Sequence, residues 1–234
     1  MSRLVLSGIV SSDNDIEVYR FFGMPAFSPA MLRTAIEETA SDDVLTLEVN
    51  SPGGDAFAGV EMASVLADAP VRTRAIVQSY AASAASFLIL GADEVLGMTG
   101  AQLMLHRTST TIRGNEDDFE EGLQMLRATD ASILDLYAKK AGSKATKEQL
   151  KEIMQAETWL PMERAMALGL VDGIYEPESH SHATSIAAAI GLPDIAKLRA
   201  KYKAANIDRK PNPLPMEKTW KAQAALKLEA NKFI

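Results

Sequence analysis

Residues 44–67 read VLTLEVNSPGGDAFAGVEMASVLA, and this stretch decides the fold class. Its beginning, residues 44–50, is rich in Val and Leu and predicts a short strand. A Pro-Gly-Gly turn follows, and apolar side chains then recur at helical spacing from residue 57 to residue 67. A strand that leads through a turn into a helix is typical of an α/β domain.

The same alternation extends over residues 4–168. Further strands are predicted at 4–10, 71–77 and 103–105, and helices at 29–39, 84–91, 117–141, 147–155 and 162–168. Strands that alternate with helices predict an α/β domain with a largely parallel sheet. In such sheets, functional residues lie in the loops at the strand ends.

The charge distribution divides the chain into two parts. Its 234 residues include 24 Lys and Arg and 31 Asp and Glu, a net charge of −7. From Lys197 onward there are ten basic residues and three acidic ones, so this tail carries +7 and residues 1–196 carry −14. We therefore expect a folded domain over residues 1–175, then a linker and a basic, helical or partly disordered tail over residues 176–234.

The composition excludes several classes of protein. The absence of cysteine excludes disulfides, thiolate metal sites and cysteine nucleophiles. The apolar stretches are shorter than the ~20 residues of a membrane span, and the first residues do not resemble a signal peptide. The acidic balance argues against general nucleic-acid binding. We expect a soluble, cytoplasmic protein with neither a membrane nor a nucleic-acid partner.

Two predicted loops carry unusual residues. In Asn50-Ser-Pro-Gly-Gly-Asp55, proline and paired glycines let the backbone turn with its N–H groups aimed at one point, which suits an oxyanion site. A plain strand-to-helix turn explains the same residues.

In the segment 79–87, small residues surround Ser83, which suits a nucleophile at a helix N-terminus. The alternative is that Ser83 or Ser86 caps the helix.

Histidines bear on the choice between these interpretations. A serine nucleophile needs a base that titrates near neutrality, and the chain has three histidines, His106, His180 and His182. His106 ends a predicted strand, where the alternative is a half-buried structural histidine. The other two lie in the linker without further ligands, so we predict no metal site.

Four motifs in order resemble the ClpP-like serine peptidases: Asn-Ser-Pro-Gly-Gly, Ala-Ala-Ser83, Met-Leu-His106 and Gly-Leu-Val-Asp172. The resemblance implies a ClpP/crotonase-like spiral of βαβ units with a long handle-type helix at 117–141, assembled into a homo-oligomeric ring. It also implies a serine endopeptidase that acts on protein or peptide substrates without a cofactor.

The resemblance assigns roles by position. Ser83 is the nucleophile, His106 the general base, and the backbone N–H groups of Gly54 and Ala84 the oxyanion hole. The third catalytic position lies 15 residues before Asp172 and is occupied here by Glu157.

Several positions depart from the cellular enzymes of this family, which usually have Asp at the third position and Gln-Pro after the histidine. This chain has Glu157 and Arg107-Thr108. The residues within these motifs resemble those of the phage-encoded branch, the head maturation proteases. This resemblance implies capsid or scaffold proteins as substrates. Two alternatives stay open: a Ser–Lys enzyme related to the signal-peptide peptidases, and a catalytically inactive capsid-assembly or scaffold protein with the same fold.

Overall fold

The computed structural model describes residues 2–176. The predictions for the linker and basic tail, and for His180 and His182, concern residues beyond 176 and lie outside the described residues.

One sheet organises the described residues. Its eight strands are β1 (Ser2–Val10), β2 (Ala26–Phe27), β3 (Val44–Gly54), β4 (Arg72–Ala82), β5 (Glu94–Met98), β6 (Gln102–Leu105), β7 (Thr158–Pro161) and β8 (Gly173–Tyr175). The main path runs β2-β1-β3-β4-β5-β8 with parallel pairs throughout. Off this path, β6 pairs parallel with β4 and antiparallel with β7. The prediction of an α/β domain with a largely parallel sheet is confirmed.

Helices connect the strands. They are α1 (Ile16–Phe21), α2 (Pro29–Glu37), α3 (Ala56–Ala67), α4 (Ala84–Leu88), α5 (Glu116–Ala141), α6 (Lys147–Gln155) and α7 (Met162–Ala167), and a 3-10 turn at Ile89–Gly91 extends α4. Hydrophobic residues from the sheet and the helices form one core, with Leu47, Met62, Leu88 and Ile133 among its fully buried members. None of the helices within residues 2–176 is long and apolar enough to cross a membrane.

The long helix α5 begins with a reciprocal cap. The Asn115 side chain accepts a hydrogen bond from the Asp118 backbone N–H at 3.2 Å, and the Asp118 carboxylate accepts one from the Asn115 backbone N–H at 2.7 Å. This pair satisfies two of the N–H groups that a helix N-terminus leaves free. The inner side of α5 buries Ile133 and Tyr137.

Three details differ from the sequence predictions. The elements α1, β2, β5, β7 and β8 were not predicted, because two to six residues are too few to show a period. Strand β4 continues to Ala82, where a loop was predicted from Ser79. Strand β3 continues to Gly54 through the predicted Pro-Gly-Gly turn, because pairing of Ile9 with Gly53 and Val10 with Gly54 holds that segment extended.

Candidate active site

Ser83 lies at the junction between β4 and α4 in a strained conformation. Its φ of 53° and ψ of −126° fall outside the regions that non-glycine residues usually adopt, at a typical cost of about 1–3 kcal/mol. The Ser83 N–H donates to the Met104 carbonyl at 3.0 Å, which attaches the junction to β6. A strained serine between a strand and a helix is the arrangement that exposes a nucleophilic hydroxyl.

The Ser83 hydroxyl lies in hydrogen-bond contact with His106. The distance from Ser83 Oγ to His106 Nε2 is 2.7 Å, although 23 positions separate the two residues. Parallel pairing of β4 with β6, with Ala82 opposite Met104, brings the two strand ends to the same edge of the sheet. The Ser83 side chain makes no capping bond to α4, so the capping interpretation of Ser83 is wrong.

Ser86 has a different environment. Its side chain is fully buried, and its hydroxyl donates to the Ser83 carbonyl at 2.6 Å. Because this uses the only hydroxyl proton of Ser86, the Tyr137 hydroxyl must donate to Ser86 Oγ across their 2.5 Å contact. Burial raises the pKa of Tyr137 above its ordinary value, so this hydroxyl stays protonated and available as a donor. Ser86 is therefore a buried support beneath the Ser83 junction and not an accessible hydroxyl.

The paired glycines bring β3 directly against the Ser83 junction. Gly53 has a φ of +92°, and a Cβ there would lie 2.6 Å from Ser83 Cβ and 2.8 Å from the Ala84 N atom. A Cβ on Gly54 would lie 2.1 Å from the Val10 carbonyl oxygen. Only glycine permits these approaches. The oxyanion role of the Gly54 and Ala84 N–H groups stays a prediction.

Glu157 directly precedes β7, which pairs with the strand that leads to His106. Antiparallel pairing sets Leu105 opposite Thr158, so His106 directly follows, and Glu157 directly precedes, the last paired residues of the two strands. Both line an open recess of about 620 Å³. Glu157 is exposed and has a φ of 48°, and within residues 2–176 no hydrogen bond joins its carboxylate to His106. Its role in orienting the base stays a prediction.

A cleft of about 250 Å³ adjoins the Ser83–His106 pair. Apolar side chains of Phe57, Phe87 and Met125 line it together with hydroxyls of Thr108 and Thr129. No lysine of residues 2–176 is among its lining residues. Residues 2–176 also contain no cluster of three His, Asp or Glu that could hold a metal ion.

Comparison with known proteins identifies the family. The sequence model of the Clp protease family matches residues 30–178, more than half of the chain. The chain belongs to the Clp protease family.

Its relatives include two proteins named ATP-dependent Clp protease proteolytic subunit 1. The one from Streptomyces avermitilis is 26% identical over 164 residues, which cover 69% of this chain and 74% of that protein. The one from Chlamydia muridarum is 30% identical over 145 residues, 59% of this chain and 73% of that protein. The resemblance to the ClpP-like serine peptidases is confirmed, and membership in the Clp protease family indicates a hydrolase of the serine peptidase type.

Sequence reasoning missed two side chains of α5 that support the site of this Clp protease family member. The Tyr137 hydroxyl bonds to Ser86, whose own hydroxyl bonds to the Ser83 carbonyl. The Asp130 carboxylate accepts hydrogen bonds from the two residues that follow His106. Helical spacing shows only that Tyr137 faces the core, and it gives no partner for Asp130. A buried tyrosine hydroxyl that needs an acceptor was the only signal in the sequence for either contact.

Proposed function

We propose that this chain is a serine endopeptidase in which Ser83 attacks the peptide carbonyl and His106 is the general base. The observation that carries the proposal is the 2.7 Å contact between Ser83 Oγ and His106 Nε2, made by a serine with a strained backbone at the edge of a cleft. A separation of 2.6–3.2 Å is what proton transfer between nucleophile and base requires.

The reaction follows the serine–histidine sequence of steps. His106 Nε2 takes the Ser83 proton as Oγ bonds to the carbonyl carbon, and the backbone N–H groups of Gly54 and Ala84 stabilise the oxyanion. The imidazolium then donates its proton to the leaving amine, and an acyl-enzyme remains. Water, deprotonated by His106, hydrolyses that ester and restores the Ser83 hydroxyl. Glu157 orients His106 and stabilises its protonated form.

The proposal extends to the substrates and the assembly. Capsid or scaffold proteins of a phage are the proposed substrates. The support is that the motif residues, together with Glu157 and Arg107-Thr108, resemble the head maturation proteases. Family membership supports a homo-oligomeric ring in which α5 is the handle-type helix and lines the substrate groove. Helix α5 exposes three large hydrophobic side chains, Phe119, Leu123 and Met125. Their exposure supports a contact surface on this helix.

A fluorophosphonate probe tests the chemistry. The full-length chain should react once per subunit, and Ser83→Ala should abolish labelling and peptide hydrolysis while the circular dichroism spectrum stays unchanged. Ser86→Ala is the matched control, because its hydroxyl is buried and bonded to the Ser83 carbonyl. It should keep labelling, although leaving the Tyr137 hydroxyl without its acceptor should reduce the free energy of unfolding by about 1–3 kcal/mol.

Other outcomes would favour the alternatives. No labelling of the folded wild-type chain would support an inactive scaffold, and labelling that survives His106→Ala would support a lysine base. Cleavage of capsid or scaffold proteins encoded beside this gene tests the substrate proposal separately, and failure to cleave them would leave a peptidase with other substrates.

A further inference from the structure

We propose that Asp130 is a positioning residue whose carboxylate holds the backbone immediately after His106 and so keeps the imidazole aimed at Ser83. This inference rests on the proposed function, because it assigns Asp130 a part in the activity of the same site.

Three donors converge on the Asp130 carboxylate. The Thr108 backbone N–H and the Thr108 hydroxyl both donate to Asp130 Oδ1 at 2.7 Å. Arg107 Nε donates to Asp130 Oδ2 at 2.8 Å. Both carboxylate oxygens are therefore bound to consecutive residues that directly follow the proposed base. Bonds from several donors to one ionised carboxylate are among the stronger and more directional contacts in proteins.

The burial of Asp130 separates this contact from an ordinary surface ion pair. Its side chain is 15% exposed in its pair with Arg107. On the same helix, Asp135 is 64% exposed in its pair with Lys147. Exposed pairs contribute little, whereas a partly buried carboxylate with three donors restricts its partners to one arrangement.

The contact matters because β6 ends one residue before the proposed base. Leu105 is the last residue of β6, so no strand bond holds the backbone beyond His106. Asp130 supplies that restraint from α5, which Ile133 and Tyr137 anchor in the core. Tyr137, two helical turns beyond Asp130, supports the Ser83 carbonyl through Ser86. One face of α5 thus contacts both the segment after His106 and, through Ser86, the Ser83 junction.

The residues after His106 are suited to this contact. Thr108 contributes a backbone N–H, which the proline in the Gln-Pro pattern of similar enzymes could not donate, and Arg107 contributes a guanidinium. The two residues that depart from that pattern are therefore the two residues that supply the three donors to Asp130.

The test compares Asp130→Asn with Asp135→Asn in the full-length chain. Both changes remove one charge from α5, but only the first replaces an oxygen that accepts from Arg107 or Thr108 with an NH2 group, which cannot accept. We measure the second-order rate of fluorophosphonate labelling and the imidazole NMR signals of His106, which Ser83→Ala and His106→Ala samples identify. Asp130→Asn should reduce the labelling rate by about ten- to a hundredfold, since small misplacements of reacting groups carry penalties of that order. It should also shift the His106 signals, and Asp135→Asn should change neither.

A second variant keeps the inference testable if Asp130→Asn does not fold. Thr108→Val removes the hydroxyl donor but keeps the N–H donor, so it should give a smaller reduction in labelling and a smaller shift of the His106 signals. An unchanged labelling rate and unmoved His106 signals in a folded Asp130→Asn or Thr108→Val chain would overturn the proposal, even where thermal stability falls. A wild-type chain that does not label would instead refute the proposed function, and the His106 signals alone would then decide whether Asp130 positions the imidazole.

Discussion

Ser83 and Glu157 are the non-glycine residues with positive φ among residues 2–176, at 53° and 48°. Such conformations cost free energy and persist where the surrounding structure imposes them, often at functional sites. The Ser83 conformation directs its hydroxyl to His106. The shared strain supports the proposal that Glu157, which lines the same recess as His106, belongs to the same site.

Glu157→Gln tests that role. If the Glu157 carboxylate orients His106, the neutral amide should preserve the fold but lower turnover. The loss should appear in kcat rather than KM, because the neutral amide no longer stabilises the imidazolium that forms only as Ser83 is deprotonated. The loss should be smaller than for Ser83→Ala, since the acid makes no bond to the substrate. Glu152→Gln, an exposed change on α6, is the control, and an unchanged kcat for Glu157→Gln would indicate a Ser–His dyad or a different third residue.

Gly53→Ala tests the close approach of β3 to the nucleophile. The new Cβ would lie 2.6 Å from both the Ala82 carbonyl oxygen and Ser83 Cβ, so the Ser83 junction must shift, and probe labelling should fall by about a hundredfold. Gly100→Ala is the matched control, because Gly100 also has a positive φ, +86°, but no atom within 4 Å of an added Cβ. It should cost about 1–2 kcal/mol of unfolding free energy without changing the labelling rate. Equal labelling by both variants would contradict the steric argument.

At the scale of elements, α5 carries the Asp130 carboxyl, whose ionisation makes the stability of the folded chain depend on pH. Burial opposes ionisation of Asp130, but the hydrogen bonds from Arg107 and Thr108 outweigh it, so the pKa of this carboxyl lies below its ordinary value of 3.8. Because the folded state lowers this pKa, the stabilisation is complete above about pH 3.8 and is lost as the pH falls through the lower, folded-state value.

The unfolding free energies of wild type and Asp130→Asn should therefore differ by about 1–3 kcal/mol at pH 7, and the difference should shrink in acid below the ordinary pKa. Urea titrations at a series of pH values measure it. Asp135→Asn, whose pair with Lys147 is exposed, should differ little from wild type at any pH. A difference for Asp130→Asn that stays constant down to pH 2 would contradict the assigned pKa direction.

At the scale of the whole molecule, residues 2–176 contain the eight-stranded sheet, a continuous hydrophobic core and the Ser83–His106 pair. The basic tail carries +7 against −14 for residues 1–196, and such opposite charges attract with a strength that salt reduces. We predict that a chain truncated after Glu178 remains folded and labels at the wild-type rate, so that the tail serves assembly or self-processing. Thermal melting and probe labelling of the truncated and full-length chains measure this, and loss of the folded state on truncation would place the tail in the core.

The amino-acid sequence alone determined the strand–helix alternation and the longer helices, because hydrophobic periodicity is a local property. It also singled out Ser83 and His106, because their motifs resemble those of the ClpP-like serine peptidases. Tertiary structure alone decided the contacts between distant elements: Tyr137 with Ser86 across 51 positions, and Asp130 with Thr108 across 22. It also extended β3 through the Pro-Gly-Gly segment, because pairing with β1 outweighed the turn preference of those residues. Local sequence patterns specify the secondary structure of each segment. The hydrogen-bond partner of a buried hydroxyl or carboxylate depends instead on how the helices and strands pack together.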